Sequence, residues 1–377
     1  MKKLENIKNL DGIRALAVLI VCFAHFFQVN ENYLYSDSKY LGIFLFKFSQ
    51  IGLNGVNLFF ILSGFLITRI LLNSKDSKNY FKTFYLRRLI RIFPLYYLVL
   101  ILSFFILPYF IGIDEPGKNI ISNQIWLWSY TSNLSSIFFF SGWDLSLNFP
   151  SFGHFWSLCV EEHFYIFWPF LIYFMSIKNL KKSLKIILIC SFLLFLFNKH
   201  FDSQLVFLKW SSIKYSGILS LGGLIAIYDN SSIKSTYIYS ISKKTFFPLL
   251  FVFLISSLII PRNFLYFDFI NIIFSSLFFS VLIICAINKN KVIEYLFNNR
   301  ILSFIGKLSY GIYVYHGLIR PYLSKYILPQ VTHICNESIL TIVVYTIIST
   351  LISIIIAYVS WILIEKQFLK LKTKFDY

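Results

Sequence analysis

Ile121-Ser122-Asn123-Gln124-Ile125-Trp126-Leu127-Trp128-Ser129-Tyr130-Thr131-Ser132-Asn133-Leu134-Ser135-Ser136 is the stretch on which the fold turns. It lies among apolar runs of membrane-crossing length, about 20 residues each. Its Ser, Thr, Asn and Gln nevertheless suit an interfacial or re-entrant segment better than a lipid-facing helix. Working outward, candidate spans fall at roughly 10–29, 52–72, 92–111, 156–176, 185–198, 213–228, 246–260, 269–287, 303–323 and 339–364. Counting 121–141 as well gives eleven, and the positive-inside rule decides between the two readings. Without a crossing at 121–141, both termini are cytoplasmic. The inner side then collects Lys2, Lys3 and Lys8, the basic stretch from Lys75 to Arg91, the loop with Lys178, Lys181, Lys182 and Lys185, Lys234/Lys243/Lys244, Lys289/Lys291/Arg300, and the tail with Lys366, Lys370, Lys372 and Lys374. The acidic Asp114-Glu115 pair falls outside. A crossing there would flip every later loop. The expectation is an all-α polytopic membrane protein with about ten transmembrane helices, both termini cytoplasmic, and residues 112–155 as an external, partly embedded loop.

Composition agrees. The 377 residues are 57% apolar and 14% charged, whereas soluble domains run at about 45–50% and about 25%, so a soluble protein is excluded. The net charge of +18 invites disorder, but 44 Phe, 25 Tyr and 7 Trp exclude it. Residues 1–377 therefore read as one integral membrane domain. Cys22, Cys159, Cys190, Cys285 and Cys335 show no disulfide framework and no metal-ligand spacing. The N-terminal run carries Arg14, ends at His25 and has no small-residue cleavage site, which points to a retained helix rather than a signal peptide. Gly217, Gly222 and Gly223 suit close helix packing.

Ionisable residues inside a span are functional candidates by default. Arg14 and His25 stand eleven positions apart, which at about 100° per residue returns them to within roughly 20° of one helix face, with His25 about 16 Å deeper. Ser157, Glu161 and Tyr165 are spaced by four and share a face; Glu162 points about a quarter turn away. His25, Glu161 and His316 all fall in the outer half of the bilayer. Arg88 and Arg91, three apart on a face toward the cytoplasm, offer planar guanidiniums suited to a phosphorylated ligand.

These residues lie in stretches that resemble acyltransferase family 3, the multi-span membrane acyltransferases of bacterial surface glycans, including O-antigen acetylases. Leu10-Asp11-Gly12-Ile13-Arg14 followed by His25 resembles its opening motif, and Phe59-Phe60-Ile61-Leu62-Ser63-Gly64-Phe65-Leu66-Ile67 its second-helix signature. Phe84-Tyr85-Leu86-Arg87-Arg88-Leu89-Ile90-Arg91-Ile92-Phe93-Pro94 is similar to its Arg-x-x-Arg loop. Phe155-Trp156-Ser157-Leu158-Cys159-Val160-Glu161-Glu162-His163-Phe164-Tyr165 resembles its Trp-Ser-Leu-x-Val-Glu-Glu segment. Leu308-Ser309-Tyr310-Gly311-Ile312-Tyr313-Val314-Tyr315-His316 is similar to its Ser-Tyr-x-x-Tyr-x-x-His stretch. His163 replaces the family's usual Gln, and Gln367 its closing Pro. Some members carry an extra hydrolase-like domain, and this chain is expected to have none.

The resemblance implies transfer of an acyl group, most often acetyl, from cytoplasmic acyl-CoA to a hydroxyl of a surface glycan such as O-antigen (lipopolysaccharide) or exopolysaccharide. It also implies a multi-pass location in the bacterial cytoplasmic membrane. Acetyl-CoA is then a donor substrate, with no permanently bound cofactor or metal; the partners are a polysaccharide or lipid-linked sugar acceptor and the bilayer, and no nucleic acid. In that scheme Arg88 and Arg91 hold the phosphates of coenzyme A and Arg14 guides its arm. His25 acts as general base or accepts the acyl group itself, and Glu161 supports it. Ser157, Glu162, Tyr310 and His316 are supporting candidates. The rival is a secondary transporter or flippase of a glycan or lipid-linked substrate, in which buried His and Glu relay protons; no inverted repeat favours it.

Overall fold

A chain crossing a bilayer must satisfy its backbone polar groups internally, and long apolar runs do so as helices. The structure, a computed structural model, describes residues 7–29, 33, 39–138, 140, 142–198, 211–229, 232–260, 264 and 266–375. Its principal helices are α1 (Lys8–Phe27), α2 (Lys39–Ile51), α3 (Gly55–Ser74), α4 (Tyr80–Ile101), α5 (Glu115–Ser122), α6 (Ile125–Trp128), α7 (Trp156–Phe174), α8 (Ile177–Asn198), α9 (Ser212–Asp229), α10 (Ser232–Ile259), α11 (Phe267–Ile287), α12 (Lys291–Phe297), α13 (Arg300–Leu318), α14 (Leu328–Cys335) and α15 (Ile339–Ser360). Among the described residues there is no strand. Among the described residues, six helical stretches are long and apolar enough to cross a membrane: Asn9–Phe27, Lys39–Ser74, Tyr80–Tyr109, Tyr237–Ile259, Phe267–Ile287 and Ile339–Lys370. α7 is not among them, because Glu161, Glu162 and His163 interrupt its apolar run. Lys2 and Lys3 lie outside the described residues, as do both chain ends.

Among the described residues of 121–141 there is no long helix. α6 is a single turn of four residues, and Tyr130 then takes a φ of 55°, a left-handed conformation uncommon for a bulky residue. The segment is pinned to α4. The hydroxyls of Tyr96 and Tyr97 donate to the carbonyls of Leu127 and Trp128 at 2.8 and 3.3 Å, and the Tyr96 and Tyr130 rings stack with centroids 4.0 Å apart. Ahead of it, Asp114 caps α5. Its carboxylate accepts from the Gly117 amide at 3.0 Å, the Ser146 hydroxyl at 2.5 Å and the Leu147 amide at 2.9 Å. Burial pushes the Asp114 pKa up, but these hydrogen bonds outweigh it and hold the carboxyl below its ordinary range.

The basic stretch expected as a loop at Lys178 to Lys185 is helical, and so is the one whose spacing places Arg88 and Arg91 on one helix face. Tyr80 to Arg91 belongs to α4, and Lys178 to Lys185 to α8. Lys and Arg are good helix formers and no breaker interrupts either stretch, so each helix runs on past its apolar boundary. Arg88 and Arg91 consequently sit inside a helix, facing the bundle.

Lipid supplies no hydrophobic drive for helices to associate, so the bundle depends on close contact at small residues. α3 and α9 cross at Gly64 and Gly222, where a methyl on either would overlap backbone of the other helix, at Leu219 and Ile61. α1 is central, with Ile13, Ala17, Val18, Val21 and Cys22 fully buried, and it packs on α3, α13 and α15. It runs parallel to α13: Gly306 abuts the Asp11 backbone near one end, and His25 meets His316 near the other.

Candidate active site

α1, α3, α4, α7 and α13 enclose a cavity of about 170 Å³. α1 contributes Arg14, α4 contributes Arg88 and Arg91, and α3 contributes Ser63. α7 adds Ser157, Glu161, Glu162 and Tyr165, and α13 adds Ser309, Tyr310 and Tyr313. The helical spacing explains this wall: Ser157, Glu161 and Tyr165 are successive i, i+4 positions on one face, and Arg88 and Arg91 are neighbours at i, i+3.

Polar contacts hold these groups in place. Arg14 pairs with Asp11 at 2.8 Å. Glu161 accepts from the Ser63 hydroxyl at 2.7 Å and from the Tyr165 hydroxyl at 2.9 Å. The Arg88 guanidinium lies over the Tyr165 ring, 5.5 Å from its centroid, a geometry that attracts a cation to an aromatic face. Tyr310 donates to the Ile92 carbonyl at 2.8 Å, bracing α13 on α4. The Ser157 and Tyr313 hydroxyls share a hydrogen bond of 2.6 Å, and both also reach the His154 carbonyl, at 3.1 and 3.2 Å.

Tyr313 lines the cavity and packs against His316, ring centroids 5.3 Å apart. There a histidine cluster begins. His316 is fully buried; its Nε2 is 2.9 Å from His25 Nδ1 and its Nδ1 is 2.7 Å from the Tyr313 carbonyl. The His154 ring lies 4.9 Å from the His316 ring, and its Nε2 donates to the Val314 carbonyl at 3.0 Å.

The sequence-selected residues thus fall into two groups. Arg14, Arg88, Arg91, Ser157, Glu161, Glu162 and Tyr310 line one cavity, while His25 and His316 share a hydrogen bond beyond Tyr313. His25 and Glu161 do not meet, despite the similar depth that the sequence suggests. Glu162, expected to point away from Glu161, lines the same cavity. The cavity is bounded by three neighbours of α7, so side chains about 100° apart on that helix both face it. Tyr313 and His154 were not selected from the sequence. His154 precedes Ser157 by three residues, a same-face spacing, but it lies ahead of α7 in a segment with no periodicity to flag it.

A family model described as an acyltransferase domain matches residues 7–358. The chain belongs to this acyltransferase family. Among similar proteins, a Staphylococcus aureus protein named "Putative O-acetyltransferase" is 27% identical over 355 residues, 86% of this chain and 52% of that protein. The peptidoglycan O-acetyltransferase OatA of Listeria monocytogenes is 35% identical over 193 residues, 49% of this chain and 27% of that protein. A Bacillus subtilis protein named "Putative peptidoglycan O-acetyltransferase YrhL" is 28% identical over 333 residues, 82% and 48% of the two chains. The chain therefore spans about half the length of the S. aureus and B. subtilis relatives. No solved structure gives a significant match.

Within this acyltransferase family, the geometry suits a group transfer from an anionic donor. Three guanidiniums converge on one cavity with a hydrogen-bonded carboxylate, and Arg is the residue best shaped for bidentate phosphate contacts. Beyond it stands a paired imidazole, the side chain most often used as general base or nucleophile near neutral pH.

Proposed function

We propose that this chain is a multi-pass membrane O-acyltransferase that takes an acyl group, most simply acetyl, from acyl-CoA on the cytoplasmic side and delivers it to a hydroxyl of a cell-surface glycan. The observation that carries this reading is the juxtaposition, in a member of an acyltransferase family, of the Arg14/Arg88/Arg91 cavity with the His25–His316 pair. The cavity residues bind the donor: Arg88 and Arg91 take its phosphates, and Arg14 takes the arm. His25 accepts the proton of the attacking hydroxyl, or carries the acyl group between donor and acceptor. Glu161, fixed by Ser63 and Tyr165, keeps the cavity polar around the donor and Arg88.

Ten spans with cytoplasmic termini, a single domain over the whole chain and a place in the bacterial cytoplasmic membrane complete the proposal. O-antigen and exopolysaccharide fit the acceptor, and the names of two relatives add peptidoglycan to the glycans to be tried.

The deciding experiment supplies membranes containing the protein with labelled acetyl-CoA and a panel of glycans, and compares wild type, His25→Ala and Glu161→Gln. Label should pass to a glycan with wild type and fall by about 10²–10⁴-fold with His25→Ala. Equal transfer by His25→Ala and wild type would refute the assignment of His25. Mass spectrometry of the labelled glycan identifies the acceptor and the acyl mass together.

A further inference from the structure

The two histidines that meet across α1 and α13 are unlike in their surroundings. His316 is fully buried and hydrogen-bonded at both ring nitrogens. His25 is half-buried and uses only Nδ1 for the pair. The protons on such a pair follow from its fixed end. A backbone carbonyl only accepts, so the Tyr313 carbonyl at 2.7 Å requires a proton on His316 Nδ1. A neutral imidazole has one donor and one acceptor nitrogen, and among the described residues no carboxylate pairs with His316 to favour a second proton. His316 Nε2 is therefore the acceptor, and the proton in the 2.9 Å bond belongs to His25 Nδ1. The lone pair of His25 is left on Nε2.

We propose that His316 is a positioning residue that locks His25 in the tautomer protonated at Nδ1, so that Nε2 of His25 is its reactive nitrogen. His154 backs this arrangement. Its Nε2–H is committed to the Val314 carbonyl, and its ring lies against His316 and beside Gly317, where a methyl would overlap the imidazole. The α13 backbone thus orients both buried rings through the carbonyls of Tyr313 and Val314. Once His25 Nε2 takes a proton, the Nδ1–H bond to His316 becomes charge-assisted and strengthens, so the pair stabilises the cation that a base must become. The assignment rests on the proposed transfer only in calling Nε2 the base. In that step the acceptor hydroxyl gives its proton to Nε2 as its oxygen bonds the acyl carbon. The C–S bond breaks with its electrons on sulfur, and the thiolate then takes the proton from Nε2.

The test uses the full chain in lipid with ¹⁵N-labelled histidine, its six rings assigned by single His→Asn variants. Near neutral pH, His25 should show a protonated Nδ1 and an unprotonated Nε2; the opposite pattern overturns the proposal whatever the enzyme's activity. His316→Leu removes the acceptor and should release His25 into exchange between tautomers, with transfer reduced about 10–100-fold, the loss typical when the partner orienting a metal-ligating histidine is removed. His316→Gln, which returns an acceptor oxygen near the Nε2 position, should restore the single tautomer and most of the activity. A single Nδ1-protonated tautomer persisting in His316→Leu would overturn the proposal. Loss of the acyl-transfer reading would appear instead as wild-type protein that moves no label while the His25 tautomer is as stated.

Discussion

Ser157 on α7 and Tyr313 on α13 hydrogen-bond at 2.6 Å where the cavity ends and the histidine cluster begins. Arg14, Arg88, Arg91 and Glu161 lie on one side of this contact and His25 with His316 on the other. In the proposed transfer, a donor arm entering among the arginines would therefore meet this pair before His25. The contact also joins α13 to the end of the loop preceding α7, because both hydroxyls reach the His154 carbonyl.

Tyr313→Phe should keep the ring between Phe59 and His316 and lose only the hydroxyl's bonds. The expected cost is about 0.5–1.5 kcal/mol, the usual net value of one hydrogen bond. Thermal denaturation of Tyr313→Phe, Ser157→Ala and the double variant measures it. The double variant should be less destabilised than the sum of the singles by about 0.5 kcal/mol or more. Strict additivity would mean that the pair contributes no coupling.

Arg88→Ala and Arg91→Ala should each weaken acyl-CoA binding, and Lys at either position should restore it only in part, because a point charge lacks the guanidinium fork. For Arg88 the deficit should be larger with Lys, since its guanidinium also covers the Tyr165 ring. Titration of the variants with coenzyme A reads both effects. Unchanged affinity in both alanine variants would reduce these residues to membrane-topology anchors.

The helical class, the exclusion of 121–141 as a long helix and most cavity residues were legible because they rest on composition, helical spacing and motif resemblance. Ser157, Glu161 and Tyr165 share a face for the reason the spacing gave, and Arg14 shares their cavity. The pairing of His25 with His316 was not legible, since depth along separate helices says nothing of which helices adjoin. Glu162 shows the same limit: helical spacing sets it a quarter turn from Glu161, but whether both face one cavity depends on how α3, α4 and α13 pack together. The helical course of Lys178 to Lys185 was hidden by its charges, which resemble a loop although Lys favours helix.

Gly222→Leu should destabilise the α3–α9 crossing. Its side chain would meet the backbone of Ile61, Gly64 and Phe65 rather than a movable side-chain end, so the helices must separate. Overpacking of this kind typically costs about 1–3 kcal/mol. Gly112→Leu, with open space around it, is the control and should melt within about 0.5 kcal/mol of wild type. Equal melting temperatures for the two variants would show that close approach at Gly222 is unimportant.

Accessibility tags at Lys181 and at the C-terminus should both report the cytoplasmic side, because the basic segments fall on one side only when 121–141 does not cross. A tag at Lys181 reached from outside would place an odd number of crossings before it and overturn the ten-span proposal.

The last prediction concerns Lys372, which lies beyond the final apolar helix. Arg87 ties this segment to α4 by donating to the Phe375 carbonyl at 2.6 Å. Burial, then repulsion from Arg91, Arg88, Arg87 and Arg14, lowers the Lys372 pKa from 10.5 to about 7. The folded protein thus favours the neutral amine, whereas the unfolded chain holds its proton up to the ordinary lysine range. Between about pH 7 and 10.5 the unfolded state binds more protons, so this group's penalty, full below about pH 7, is relieved as pH rises. Stability should therefore rise across that window, and Lys372→Met should flatten the rise. A bound phosphate beside the same arginines would favour the charged amine, so coenzyme A binding near pH 8 should take up a proton and weaken as pH rises further. Calorimetry in buffers of different ionisation heat measures this uptake. Wild type and Lys372→Met showing the same uptake would mean that Lys372 does not sense the donor.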